Sequence, residues 1–375
     1  MKLIKTTTFA CVAIVLSSFA AARAAENAPT MKERLAKSPF KLIYETYAND
    51  NWDLAVINAD GSGKTNITST TDVHELYPQA SPDGTKVCFV VDQGQGRETT
   101  RSVWVMDIDG THRQKIADRA RQPFWAPDSQ TIGYLPQEYT KFNVVDYSTK
   151  GMNFYDLATG ETRPHPNSDK LHHLYNPNFA ANGKWITATV HAGMGYGHTN
   201  LLIEAAGDRI LNLGERAPAE LSKNEKREFG GCRPCISPDS KMIAWGRTDH
   251  DVCVAELDLD SVEPYVGKLV STVHDPKNKI YHVDWSPDGQ FLSISRGLSS
   301  DGDISKPGTH EAACEIVGVY AKDWDLIAVP ATEHPTLELQ TADATTLLQL
   351  THDGSSNKES DWFKPAVNRS GSANQ

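Results

Sequence analysis

One four-residue turn recurs along this chain and restricts it to a fold made of repeated units. Ser81-Pro82-Asp83-Gly84 returns as Ser286-Pro287-Asp288-Gly289, Ser237-Pro238-Asp239-Ser240 and Ala126-Pro127-Asp128-Ser129. A weaker echo stands at Ala180-Ala181-Asn182-Gly183 and a relic at Trp362-Phe363-Lys364-Pro365. In such a segment proline fixes φ and the last residue takes positive φ, which is what a tight hairpin requires.

Short β-branched and aromatic runs flank every copy. In the second unit the turn leads into 86–91, then after a polar stretch into 102–107, a second turn at Asp109-Gly110 and a weaker strand at 114–117. The turns are about 45 to 57 residues apart, and no amphipathic helical stretch separates the strands. This spacing suits four-stranded propeller blades and excludes βαβ units. The N-terminal unit offers only three strands, at 41–46, 54–57 and 66–67, and the missing one lies at 360–365. The expected fold is therefore all-β: a single β-propeller with six blades favoured over seven. A blade shared between N- and C-terminal strands closes the ring and removes two sheet edges.

Residues 1–24 read as a secretory leader: Lys2 and Lys5, an apolar run from 9 to 20, then Ala22-Arg23-Ala24. A lead over 25–39, a propeller over 40–368 with an insertion at about 297–313, and a polar tail over 369–375 complete the expected organisation. Loss of Lys2, Lys5 and Arg23 with the leader takes the formal net charge from −11 to −14. That charge argues against nucleic acid as a partner. Location outside the cytoplasm follows from the leader, as does the absence of a membrane span once it is cleaved. Without Cys11 the chain keeps Cys88, Cys232, Cys235, Cys253 and Cys314, an odd number where disulfides can form.

The segments 282–289, 103–110 and Leu350-Thr351 together resemble the WD40-like repeats of TolB-family propellers over nearly all of the chain. The resemblance is specific for fold and weak for function. Oligogalacturonate lyases are similar in being near-complete propellers of this repeat, which would imply a divalent metal held by histidines in the central funnel. Propeller subunits of hydrazine synthases resemble the chain in length, leader and lack of a catalytic motif. That resemblance would imply haem-containing protein partners and seven blades.

In a propeller, loops entering each innermost strand and loops joining second to third strands share one face, opposite the repeated turn. The histidines gather on the expected face. A partner or ligand face is read at His74, Arg97, Arg121, His172, His191, Met194, Tyr196, Arg233, Arg247 and His310. For a divalent metal (calcium, zinc or manganese) the best ligands are His74, His173, His198 and His282, since imidazole is a common ligand. The segment 191–198 alternates glycines with His191, Met194, Tyr196 and His198, which reads as a pliable binding loop or a turn-rich connector. Cys232-Arg233-Pro234-Cys235 lacks the histidine of a c-type haem site, so no covalent haem is expected. A disulfide joining Cys232 to Cys235 or to Cys314 is the preferred alternative. Asp301 and Asp303 lack the acidic series of a helix-loop-helix calcium site. No Gly-x-Ser-x-Gly, His-Glu-x-x-His or paired-carboxylate motif occurs, so no catalytic residue is assigned. The preferred expectation is a noncatalytic secreted subunit that docks proteins and completes or shields a partner's active site. Its alternatives are a metal-dependent polysaccharide lyase or hydrolase, and a module binding anionic oligosaccharide.

Overall fold

The recurrent turn acts as a clip. Ser81 Oγ donates to Asp83 Oδ1 at 2.6 Å and accepts from the Lys86 amide at 2.9 Å. The same pair of bonds joins Ser237 to Asp239 and Met242 N, and Ser286 to Asp288 and Phe291 N. The fourth residue is left-handed in each of five copies: Gly84, Ser129, Gly183, Ser240 and Gly289.

The computed structural model describes residues 28–366, apart from 144, 224, 226 and 300–323. The leader, the polar tail, His310, Cys314, Asp301, Asp303 and most of the expected insertion lie outside the described residues. Six antiparallel four-stranded blades form a closed ring. Blade I places Ser356–Phe363 innermost, followed by Lys41–Ala48, Asn51–Asn58 and Thr65–Asn66. Blade II runs through His74–Ala80, Lys86–Gln93, Thr100–Asp107 and Gln114–Asp118. Blade III uses Ala120–Trp125, Thr131–Pro136, Asn153–Asp156 and Thr162–Pro164. Blade IV uses Leu174–Phe179, Trp185–Gly193, Tyr196–Glu204 and Ile210–Asn212. Blade V uses Cys232–Ile236, Met242–Thr248, Asp251–Asp258 and Tyr265–His274. Blade VI uses Asn278–Trp285, Phe291–Ser299, Asp325–Pro330 and Leu348–Gln349.

Termini share blade I as expected, but the closing strand begins at Ser356, four residues earlier than the sequence reading. The long stretch after Asp325–Pro330 adds no seventh blade. Instead Thr336–Glu338 pairs in parallel with Tyr265–His274, straddling the rim from blade VI to blade V. The lead contains a one-turn helix, α1 (Met31–Leu35), capped by reciprocal bonds between Thr30 and Glu33. Its Met31 and Leu35 pack with Leu42, Phe291 and Leu326 where blades I and VI meet.

Apolar side chains fill the wedges between blades. Trp52, Trp185, Trp245 and Trp324 are each almost wholly buried. Each such burial contributes on the order of 2–3 kcal/mol. Among the described residues no helix is long and apolar enough to cross a membrane.

The turns differ in what surrounds them. A Cβ added at Gly84 would lie 2.0 Å from the Lys364 carbonyl oxygen beside the closing strand, whereas at Gly289 it would meet only Pro238 Cδ at 4.0 Å. Both glycines have φ of +70°. Gly289→Ala should cost about 1 kcal/mol for the left-handed backbone alone. Gly84→Ala should cost about 3 kcal/mol or more, because backbone must also move. Chemical denaturation of the two variants checks the ranking.

Candidate functional site

Every innermost strand is broken at the same register by a bulge whose central residue is left-handed. These residues are Tyr77, Gln122, Asn176, Arg233, His282 and Glu359, with φ between 47° and 57°. In four blades the next residue is proline, Pro78, Pro123, Pro177 or Pro234, which has no amide to lose from the ladder. In four blades the bulge residue's own amide is taken up by the preceding blade. Tyr77 N donates to Glu45 Oε2 at 3.0 Å, Arg233 N to Thr189 Oγ1 at 2.9 Å and Glu359 N to Ser295 Oγ at 3.1 Å. Asn176 N donates to Gln122 Oε1 at 2.5 Å.

The side chains of this ring meet on the axis. Arg233 Nη1 contacts Glu359 Oε1 at 2.8 Å and its Nη2 contacts Asp146 Oδ2 at 3.1 Å. Tyr77 donates its hydroxyl to Asp146 Oδ1 at 2.9 Å. His282 Nδ1 stands 2.7 Å from Glu359 Oε2, and its Nε2 stands 2.9 Å from the Ser360 carbonyl. The Arg233 guanidinium also lies 4.7 Å above the Tyr281 ring. Asp146 comes from the connection between the second and third strands of blade III. Arg121 fixes that connection by donating to the carbonyls of Val145 at 2.6 Å and Asn143 at 2.7 Å. The entry end of the channel is thus crossed by the chain's own residues. Burial, then the neighbouring Arg101, pushes the Arg121 guanidinium down to about 10. Below that pH it keeps its charge.

Beside the axis, four histidines share the entry side of blades III and IV. His191 stacks on Tyr147 with centroids 4.2 Å apart and planes 19° apart, and lies 4.9 Å from His198. His198 Nε2 is 2.8 Å from the Tyr175 hydroxyl. His173 bridges the Ala192 carbonyl at 2.8 Å and Glu138 Oε2 at 3.0 Å, while its ring meets that of His172 edge-on. Burial and then the nearby His173 lower the His191 pKa, favouring its neutral form. Tyr139, next to Glu138, is half exposed.

The segment 191–198 is a regular hairpin rather than a pliable loop. His191 pairs with His198 and Gly193 with Tyr196, leaving a two-residue turn at Met194 and Gly195, both with positive φ. Met194 and Tyr196 fold back onto apolar residues of blades III and IV. Gly193 is required by crowding, since a Cβ there would sit 2.6 Å from that of His173.

Several expected site residues lie elsewhere. Arg121, Arg233 and His282 belong to buried innermost strands, not entry loops. His74 accepts from the Trp52 amide at 3.3 Å and is half-buried. Arg97 is exposed on a short 3-10 turn, and Arg247 donates to the Glu220 carbonyl. The proposed ligands His74, His173, His198 and His282 do not form one site: His173 and His198 share the blade III–IV cluster while His74 and His282 lie apart from it, and among the described residues no three His, Cys, Asp or Glu side chains could hold a metal together. Cys232 and Cys235 are not joined to each other, the first of the two expected pairings, and the second, Cys232 with Cys314, lies outside the described residues. The bulge at Arg233 separates Cys232 from Cys235, and Cys235 Sγ donates to Asp284 Oδ1 at 3.2 Å. The axial partners Asp146 and Glu359, and the aromatic partners Tyr147 and Tyr175, were not anticipated.

These features define a six-bladed propeller with a self-plugged axis and a histidine- and tyrosine-rich face. No protein-family model matches the chain. It is 25% identical over 253 residues to a curated Bacillus subtilis protein described as the uncharacterized peptidase YuxL, covering 65% of this chain and 32% of that one. The chain therefore spans about a third of that relative's length. Among solved structures it is similar in fold to TolB from Acinetobacter baumannii, with TM-score 0.54 and 15% identity, covering 92% of this chain and 71% of that chain. The Kuenenia stuttgartiensis hydrazine synthase gives a TM-score of 0.54 at 10% identity, covering 90% of this chain and 49% of that chain. A chain of the nidogen/laminin complex gives 0.55 at 8% identity, covering 87% and 99%. At these identities the likeness establishes the fold.

The His282–Glu359 pair makes ring stability depend on pH. Burial alone would lower the histidine pKa, but the charge and hydrogen bond of Glu359 outweigh it and raise the value. A raised folded value gives stability that is complete below the unfolded pKa of about 6.5 and lost as pH rises through the folded pKa. His282→Gln should remove this part of the slope. It should also destabilise the protein by about 3 kcal/mol below pH 6.5, because Glu359 loses a buried partner. Urea midpoints of both proteins across pH 6 to 9 test it.

Proposed function

We propose that this chain is a noncatalytic extracytoplasmic propeller that docks a protein partner through the entry face of blades III and IV. The observation carrying this reading is the axial plug. Tyr77, Asp146, Arg233, Glu359 and His282 satisfy one another across the space where a funnel enzyme would admit substrate. Arg121 and Arg233, which could have met an anionic sugar, are buried against the chain's own acceptors. The adjacent surface combines the half-exposed Tyr139 with partly exposed His172 and His191. Flat rings with polar edges are enriched at protein interfaces because they bury area at little entropic cost. The hairpin at 191–198 and the Arg121 anchor hold these rings in a fixed geometry before binding.

The finer proposal is a subunit of a multisubunit oxidoreductase, with haem-containing partners and the docked propeller completing or shielding a partner's active site. The fold shared with the hydrazine synthase chain supports that reading.

Purification from the native source under mild conditions should yield a complex of fixed stoichiometry. A Tyr139→Ala, His191→Ala double substitution should weaken its assembly by at least about tenfold while leaving the melting temperature nearly unchanged. A solitary chain with turnover on oligogalacturonate would refute the reading.

A further inference from the structure

Charge is distributed unevenly between the two ends of the ring. On the turn side, Asp83, Asp128, Asp239 and Asp288 of the repeated turns and Asp109 and Asp260 between third and fourth strands are all exposed. Such carboxylates are ionised near neutral pH, so that end is negative. The entry side of blades III and IV has the opposite character. Arg119, Lys141 and Lys150 are exposed there, and among the described residues none of the three is paired with a carboxylate.

In a chain with 48 acidic against 37 basic residues, unpaired cations gathered on one face call for an explanation. Elsewhere Lys64, Lys86, Lys268 and Lys279 each hold a carboxylate of the chain itself. The acids of blades III and IV on this face are already matched. Glu138 holds His173 at 3.0 Å and Asp118 holds Lys115 at 2.8 Å, which leaves Asp169. Beside it Lys170 bonds to Asn167 at 3.0 Å and not to a carboxylate.

The cations are interleaved with the rings. Lys150 bridges to His172 across the seam of the two blades, the Arg119 carbonyl takes the Gln137 amide beside Glu138, and Lys141 follows the half-exposed Tyr139 by two positions. An aromatic centre with a charged surround matches the core and rim of a protein interface. The two ends of the ring act separately in salt. Trp185–Gly193, nine residues running from the turn side to the entry side, covers about 30 Å, whereas charges are screened over about 8 Å at physiological ionic strength. A partner at the entry face therefore meets the local cations, not the net charge of the molecule.

We propose that blades III and IV dock a protein surface rich in aspartate and glutamate, its carboxylates meeting Arg119, Lys141 and Lys150 around the rings. This rests on the docking reading and adds the partner's chemistry. An acidic surface arriving at the turn side is repelled by the aspartates of the repeated turns. The residues that clip the hairpins thus direct it to the other end of the ring.

Titration of the whole chain into a fluorescent random copolymer of glutamate and tyrosine, read by anisotropy at physiological ionic strength, tests this. Saturable binding is expected, weakened at least about tenfold by Lys141→Glu with Lys150→Glu. Lys241→Glu with Lys364→Glu changes the net charge equally on the turn side and should leave affinity within about twofold. All four lysines are exposed, so both double variants should keep the melting temperature of the parent. No saturable binding, no loss in the first variant, or equal loss in both would overturn the proposal. Tighter binding of phosphatidylglycerol vesicles or polyphosphate through Lys141 and Lys150 would also overturn it, assigning the face to lipid or phosphate. With the partner isolated from the native source, the first variant should associate at least about tenfold more slowly than the parent. Absence of any partner complex refutes the docking reading itself, whereas a complex whose assembly ignores the reversal refutes only the acidic surface.

Discussion

Six non-glycine residues held in the left-handed conformation at one register are the constraint on which the rest of this ring depends. Such a residue costs on the order of 1 kcal/mol or more, and repetition shows that the cost is offset locally. In four of the six the offset is the transfer of a backbone amide from its own sheet to the preceding blade. Glu45, Gln122, Thr189 and Ser295 each receive one. Blades are therefore joined near the axis by directional bonds, while apolar wedges join them farther out. The bulge also turns its side chain toward the axis, so the device that fastens the ring gathers the polar groups that close its channel.

The closing strand follows from the same geometry. Ser356, Asn357, Lys358, Glu359 and Ser360 are all nearly inaccessible although none is apolar. Glu359 is matched by Arg233 and His282, Asn357 by Thr46 and Asp325, and Ser360 by Ser293. Lys358 lies 4.8 Å from the Trp52 ring and 3.9 Å from Glu45. Buried polar groups are tolerable only when so matched, and matching demands one register. Closure by this strand is consequently specific.

The architecture was legible because it is written in turns, and turn chemistry is local. Blade number, the shared blade and the side opposite the repeated turn all followed from it. The beginning of the closing strand was not legible: a polar run such as 356–360 reads as surface unless its partners are known, and those partners are in distant blades. Arg233 and His282 were noticed but assigned to loops, because a bulge leaves no obvious mark in a single strand. A mark does exist in the spacing. Five axial residues stand four positions before the first residue of their turn, as Tyr77 does before Ser81, and Glu359 stands three before the relic that begins at Trp362. Asp146 was beyond reach, since only the three-dimensional path of its connection brings it to the axis. The histidines of blade IV take one tyrosine partner, Tyr175, from their own blade and the other, Tyr147, from the blade III connection, which linear order does not place beside them.

The rim segment Thr336–Glu338 gives the ring a mechanical asymmetry. It belongs to blade VI by sequence and to blade V by pairing, with further bonds from Ser271 Oγ to the His334 carbonyl and from Leu339 N to the His274 carbonyl. Those two blades cannot part without peeling a strand away, so they move as one block. Blades III and IV are tied differently, by a short antiparallel bridge of Lys150 to His172 with Gly151 N on the Leu171 carbonyl and His173 N on the Thr149 carbonyl.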